Sequence, residues 1–255
     1  MRVGIIGAMP EEVEILKQEM TQLRSTKIAQ REYHTGILYG LETSLVFSRW
    51  GKVAASIAAT TLITKFNVDC IIFLGVAGAI CDDLNMGDVV VGWQLYQHDM
   101  DARPLFPQFQ IPMTDFIFLN ADPALCHYAE NAARDFCTNI KTTLAPEVLQ
   151  EFFINQPAVY AGIIASGDSF IAGRQQREAI RSKMPEALAV EMEGAAVAQV
   201  CVEHHIPFTV IRVISDKADH SAAVDFPKFV AGVACYYSKN ILKSMYDNMN
   251  IMHEV

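Results

Sequence analysis

The 255-residue sequence predicts an α/β fold built on a mixed central sheet, and three observations carry that prediction. Short runs of β-branched residues stop at glycine and pass directly into helix-opening signals. Two neighbouring runs, Arg31 to Leu38 and Thr43 to Arg49, are separated by only Tyr39-Gly40-Leu41-Glu42, the pattern of an antiparallel hairpin. Several other runs end in small or acidic residues, as strands do when their carboxyl ends border a ligand crevice. The hairpin makes the sheet mixed, and the strand-to-helix rhythm makes part of it parallel.

Taken in order, Arg2 to Gly7 reads as a buried strand, and Pro10-Glu11-Glu12 opens a helix over Val13 to Met20. After the hairpin, Ala, Leu and Ile recur at helical spacing from Gly51 to Phe66. The strand Cys70 to Leu74 then ends in Gly75-Val76-Ala77-Gly78. Asp88 to Trp93 is a further strand, feeding an irregular segment from Gln97 to Thr114 that holds Pro104, Pro107 and Pro112; loops of that length in compact domains are functional or interfacial. A helix is expected over Pro123 to Asp135, and helical or loop material over Leu144 to Phe153. Val159 to Ala165 is a strand running into Ser166-Gly167-Asp168-Ser169-Phe170. Ala187 to Glu191 is another, followed by a helix from Gly194 to His204 whose alanines permit close packing. Phe208 to Ile214 is the last strand, before Ser215-Asp216-Lys217-Ala218-Asp219, and a helix from about Asp225 to Met249 comes after it. No linker or repeat interrupts the pattern, so residues 1–255 read as one domain.

Composition narrows the function. Twenty basic against twenty-nine acidic residues give a net charge of −9, leaving no basic face for nucleic acid or anionic lipid. The apolar start MRVGIIGAM is broken by Pro10, Glu11 and Glu12, far short of a membrane span or signal core. Cys70, Cys81, Cys126, Cys137, Cys201 and Cys235 are scattered, without C-x-x-C spacing, and read as reduced thiols of a cytoplasmic protein. His98-Asp99-Met100-Asp101 offers metal-ligand types but no second nitrogen at a helical or ribbon spacing, so no metal is expected. His204-His205 ends a helix, where the dipole favours imidazolium.

The polar strand ends are the informative part. Gly7-Ala8-Met9 with Glu12, Gly75 to Gly78, Ser166 to Phe170, Glu191-Met192-Glu193 and Ser215-Asp216 can converge on one pocket. A carboxylate facing a wet cleft costs little, whereas one in a dry core must neutralise or find a partner. Glu191 and Glu193 share parity on an extended strand and can face one cavity together. Equally, Glu193 can do no more than open the following helix, where an acidic residue suits the dipole.

The motifs GIIGAMPEEV, GKVAA, GVAG, NMGDVVVG, ASGDSFIAG, AVEMEGAAVAQVC and VIRVISDKAD occur in this order between Met1 and about Phe226. Each is weak alone. VEMEGAA with SGDSF upstream and ISDKAD downstream is a specific combination, and the set resembles the 5′-methylthioadenosine/S-adenosylhomocysteine nucleosidase family. The resemblance implies a three-layer α/β/α phosphorylase-like sandwich, a homodimer, no cofactor, and hydrolysis of the N-glycosidic bond between adenine and a 5-thio-substituted ribose.

Carried over residue by residue, it makes Asp216 the general acid at adenine N7, held by Ser215, and Glu12 the base that activates water on the opposite face of the sugar. Glu11 and Glu14 are left as solvated helix residues. Glu193 and the backbone of Met192 take the ribose hydroxyls, while Glu191 either contacts ligand or pairs with a nearby cation. Arg212 holds the water and Glu12. Phe170 stacks on adenine and Ile171 meets its edge through main-chain bonds, with Ala8, Met9 and Val76 completing the lining. Phe226 is the apolar lid at the 5′ end, and Leu105, Phe106 and Pro112 reach the pocket of the neighbouring subunit.

Three features depart from the family pattern. Val76 stands where many relatives carry a hydroxyl residue, Trp50 adds bulk near the sugar or water site, and the region from Leu144 to Tyr160 is longer. These leave the 5′ substituent open, and the rival readings are a futalosine hydrolase, a phosphate-dependent phosphorylase of the same fold, and a nucleoside-binding protein that has lost catalysis. Glu12 and Val76 oppose a phosphate dianion, and retention of Glu12, Glu193 and Asp216 opposes the lapsed enzyme.

Overall fold

Val3, Ile5 and Ile6 are fully buried, because β1 (Arg2–Gly7) lies inside the sheet, parallel to both β4 (Leu41–Phe47) and β5 (Cys70–Ala79). A strand covered on both sides reads as a continuous apolar run, which is how this one was legible. The computed structural model describes residues 1–218 and 222–251. Asp219, at the end of the ISDKAD motif, lies outside them.

The remaining strands are β2 (Thr21–Ile28), β3 (Arg31–Leu38), β6 (Val89–Gln97), β7 (Leu119–Asn120), β8 (Val159–Ser166), β9 (Ala187–Glu191) and β10 (Phe208–Asp216). Their order is β10-β6-β8-β9-β5-β1-β4-β3-β2, with β7 beside β6. Because β10 also pairs with β5, the strands β5, β9, β8, β6 and β10 form a closed ring, and β1 to β4 extend from it as a wing. The sheet is mixed as expected. β3 and β4 are the antiparallel hairpin, while β1, β4, β5 and β10 run together.

Helices cover both faces. On one, α2 (Lys52–Phe66) packs against α6 (Gly194–Glu203), where buried Ala55, Ala58 and Ala59 meet a helix whose Ala195, Ala196 and Ala198 are also buried. Small side chains let the two axes approach closely. On the other face α1 (Pro10–Glu19) and α3 (Pro123–Thr138) pack against α8 (Cys235–Ile251). The result is the three-layer α/β/α arrangement. Two shorter helices, α4 (Pro146–Glu151) and α5 (Arg174–Arg181), α7 (Ala222–Phe229) and a 3-10 turn over Ile140–Thr142 lie outside these packed pairs. None of these helices is long and apolar enough to cross a membrane.

Several boundaries differ from the sequence expectation. β5 does not stop at Leu74 but runs through Gly75 to Gly78, since Val76 and Ala77 continue the ladder with Val213 and Ile214 of β10. β10 likewise carries Ser215 and Asp216 within the strand, across a register shift between Ile214 and Asp216. β2 has no counterpart in the prediction, because an exposed edge strand of mostly polar residues shows no buried face to read. The single C-terminal helix is instead α7, a π-helical segment over Val230–Ala234, and α8.

Candidate active site

The carboxyl ends of β1, β5, β8, β9 and β10 converge on one cavity of about 370 Å³, within the usual range for a small-molecule site. β5 and β9 run antiparallel and meet tail to tail, with Gly78 opposite Val190. That meeting brings the ends of oppositely directed strands to one place. The wall is mostly apolar, formed by Ala8, Met9, Val76, Phe170, Ile171, Met192 and Phe226 among others, and the carboxylates Glu191, Glu193 and Asp216 interrupt it.

Asp216 sits at the end of β10, buried at the cavity wall. Its Oδ2 accepts from the Ser215 hydroxyl at 2.8 Å and its Oδ1 from the Ala218 amide at 2.8 Å. A Cβ on Gly78 would stand 2.9 Å from Oδ1, so only glycine lets β5 pass this carboxyl.

Glu193 is the residue immediately before α6, with a non-helical φ of −137° and its side chain turned toward the cavity rather than capping the helix. Its Oε1 accepts from the Gly51 amide at 2.7 Å. Gly51 has φ +91°, a conformation that other residues adopt only with strain, and the turn is braced by its neighbour. The Lys52 amide bonds Asp168 Oδ1 at 2.8 Å, and Lys52 Nζ bonds Asp99 Oδ1 at 2.6 Å. Asp99 Oδ2 in turn accepts from the Asp168 amide at 2.9 Å. Burial, and then the nearby charge of Glu191, push the Glu193 carboxyl above its ordinary range.

Glu191 borders the same cavity but its oxygens are engaged elsewhere. Oε2 receives Arg212 Nη2 at 2.8 Å, both oxygens lie within reach of the Gly194 amide, and Ser166 donates to Oε1. This is a buried ion pair set at a helix N-terminus, each charge satisfied by the other and by backbone dipoles. Of the two outcomes left open by the sequence, pairing with a cation is the one seen. Arg212 is fully buried, with its guanidinium 4.1 Å over the Phe73 ring and Nη1 bonded to the Phe73 and Ile211 carbonyls. It is not part of the cavity wall among the described residues.

Glu12 is fully buried and is not among the described residues that line the cavity. Its Oε2 accepts from the Met9 amide at 3.0 Å, reaching back to the residue before α1 as a capping glutamate does. Its Oε1 accepts from Ser238 of α8 at 2.8 Å. Desolvation pushes the carboxyl up to about 7, opposed first by the Ser238 hydrogen bond and then by the field of Arg212. Glu11 and Glu14, on the other side of the helix, are exposed.

At the mouth three aromatic rings touch edge to face. Phe226 stands 5.6 Å from Phe170 and 6.3 Å from Trp50, centroid to centroid. Trp50 therefore packs with Phe226 as well as belonging to the turn that contacts Glu193. Leu105, 82% exposed, and Phe106 and Pro112, both half-buried, take no part in the cavity of their own chain. In the loop before them, Asp99 is held by Lys52 and Asp101 by Arg103, and His98 packs its ring on Gly167. The six cysteines are free thiols.

Sequence reasoning missed Ser238, Ser166 and the Lys52 brace. Ser166 stood inside a motif already singled out, and Lys52 came directly after a glycine before a helix. Ser238 carried no local signal at all.

Comparison with known proteins agrees with this geometry. Residues 2–246 match the model of the phosphorylase superfamily. The chain is 38% identical over 240 residues to the 5′-methylthioadenosine/S-adenosylhomocysteine nucleosidase of Staphylococcus aureus strain bovine RF122 / ET3-1, covering 94% of this chain and 96% of that one. The crystal structure of the Neisseria meningitidis nucleosidase of the same name, in complex with methylthio-immucillin-A, superposes with a TM-score of 0.84 at 31% identity, over 97% of this chain and 99% of that one. Futalosine hydrolase of Helicobacter pylori strain 26695 superposes with a TM-score of 0.83 at 33% identity, over 97% and 98%. On this extent of likeness in sequence and in fold, the chain belongs to the 5′-methylthioadenosine/S-adenosylhomocysteine nucleosidase family of the phosphorylase superfamily.

Proposed function

We propose that this protein hydrolyses the N-glycosidic bond of 5′-methylthioadenosine, S-adenosylhomocysteine or both, releasing adenine and the 5-thioribose product. The observation that carries the reading is that Asp216 and Glu193 border one apolar cavity while the buried Glu12 is bonded to the amide of Met9, which also lines it. Adenine is a poor leaving group as an anion, and protonation at N7 lets it depart neutral. Asp216, fixed by Ser215 and the Ala218 amide, is the acid. Phe170 and Ile171 face the base. Glu193 accepts the ribose hydroxyls, whose hydrogen bonds offset the burial that disfavours its charge. Positive charge then grows on the sugar. Glu12, with a pKa near working pH, takes a proton from the water that attacks the anomeric carbon, and its negative charge stabilises the cation.

Phosphorolysis is disfavoured by the same geometry. Arg212 is committed to Glu191, and Glu12 and Val76 offer a phosphate dianion no favourable partner. Hydrolysis of futalosine is a second reading, supported by the likeness to the Helicobacter pylori enzyme. The homodimer belongs to this proposal too. Leu105 is exposed, and α2 presents Val53, 73% exposed, and Ile57 one turn later, an apolar face suited to a second copy. Leu105, Phe106 and Pro112 would then close the 5′ end of the partner's cavity.

A substrate panel tests the reading. Methylthioadenosine, S-adenosylhomocysteine, 5′-deoxyadenosine, adenosine, inosine and futalosine are each incubated with and without phosphate, and base release is monitored. Adenine release from the thionucleosides, indifferent to phosphate, is expected. Strict phosphate dependence with ribose 1-phosphate as product overturns hydrolysis, and preferred cleavage of futalosine moves the assignment to the second reading. Binding without turnover of any compound makes the chain a nucleoside-binding protein.

A further inference from the structure

The hydroxyl that meets Glu12 comes from the far end of the chain. Ser238 lies on α8, only 2% exposed, and donates to Glu12 Oε1 at 2.8 Å across a sequence separation of 226 residues. Of the other groups near Glu12, the Met9 amide already holds Oε2. Arg212 spends Nε and Nη2 on Glu191 and Nη1 on two carbonyls, so it acts on Glu12 through space alone. The Ser215 hydroxyl is turned to Asp216 and the Ala77 carbonyl. Among the described residues Ser238 is thus the side-chain donor to this carboxylate.

The chain takes a specific route to deliver it. Between α7 and α8 the π-helical segment Val230–Ala234 adds a residue to the helical path and rotates the faces of α8 by roughly 100°. In the resulting phase Tyr237 packs against Phe136, Lys239 pairs with Glu19, and Ser238 between them faces Glu12. Three consecutive residues therefore each meet a partner on a different element or position, and displacement of the helix by one residue would lose all three.

We propose that Ser238 is a positioning residue for Glu12, fixing the orientation of the carboxylate that receives the proton of the attacking water and favouring its ionised form. The inference rests on the reading of Glu12 as the base. A hydroxyl that donates to a carboxylate stabilises the charged state: it lowers the intrinsic basicity somewhat but keeps more of the group ionised, with lone pairs free for water. The other charged or titratable groups facing Glu12 are Arg212 from β10, which also favours ionisation, and Cys235 at the start of α8, itself pushed up by burial. His34 of β3 faces Lys17 and Glu14 along α1 instead. Replacing Ser238 removes one of the two leading influences that oppose desolvation of the carboxyl.

The test compares wild type with Ser238→Ala and Ser238→Cys by two readouts. First, the pH profile of kcat for adenine release: loss of a hydrogen bond to a charged group should move the acidic limb up by about one pH unit, so the variant loses about tenfold at pH 6 and recovers most of it above pH 9. Second, the carboxyl carbon of Glu12 titrated by NMR in selectively labelled protein without ligand, its signal identified by its absence in Glu12→Gln: the same upward shift is expected. Cys, a weaker and somewhat larger donor, should fall between wild type and the alanine variant, and it carries the test if the alanine variant does not fold. An unmoved limb with an unmoved carboxyl titration, or a loss of rate equal at every pH, overturns the proposal. Failure of the wild type itself to release base from any compound is a failure of the functional reading, and it is seen without any variant.

Discussion

At the level of single residues the site separates carboxylates by what satisfies them. Glu191 is paired with Arg212 and the start of α6, while Glu193 and Glu12 are buried with fewer partners and pushed upward. This division sets two expectations. If Asp216 is the proposed acid, Asp216→Asn should lower kcat by at least about 100-fold while adenine still binds, measured by base release and by calorimetry, since an amide cannot protonate N7. In the proposed mechanism Glu12 is the base and must be ionised, so kcat should fall as pH drops below about 7, and a pH profile flat from pH 5 to 8 would contradict that proposal. The places of Asp216 and Glu193 at the cavity were legible because each stands at a strand or helix boundary inside a recognisable motif. Ser238 was not, since its partner lies 226 residues away and only the phase of α8 joins them.

At the level of elements, legibility tracked burial. β1 and β5, covered on both faces, declared themselves as apolar runs, whereas β2 had nothing buried to show and α5, on the outside, exposes most of its polar residues. The end of β5 was misjudged because glycine signals a break in isolation, while here Gly75 and Gly78 make room for Arg212 and Asp216. The apolar outer face of α2 supplies the prediction at this scale. Val53→Asp combined with Ile57→Glu should convert a dimer to a monomer in sedimentation or light scattering. Activity toward the thionucleosides should drop with it if, as proposed, Leu105, Phe106 and Pro112 of the second copy close the cavity. A protein that is monomeric before substitution, at micromolar concentration, would remove the dimer from the reading.

For the whole molecule, the upward-shifted carboxyls set a cost that depends on pH. Glu12 holds its proton up to about pH 7 when folded and only to about 4.5 when unfolded, so the native state binds more protons across that window. Stability from this group therefore falls as pH rises from 4.5 to 7, and is lowest above it. Glu193, shifted in the same direction, adds to the decline. Glu12→Gln, neutral at all pH, should then raise the melting temperature at pH 8 by at least about 2 °C while leaving it nearly unchanged at pH 4.5, by differential scanning calorimetry. An equal effect at both values would show that ionisation is not the source.

The closed ring of β5, β9, β8, β6 and β10 has an implication for how the protein comes into being. The walls draw on residues as early as Ala8 and as late as Pro227, and the ring shuts only when β10 slots between β5 and β6. A nascent chain emerging from the ribosome can build the wing and much of the sheet, yet it has nowhere to seat a nucleoside until β10 and α7 have been synthesised. Ligand can then reward only finished molecules, drawing the last folding step forward by mass action and leaving truncated chains unprotected.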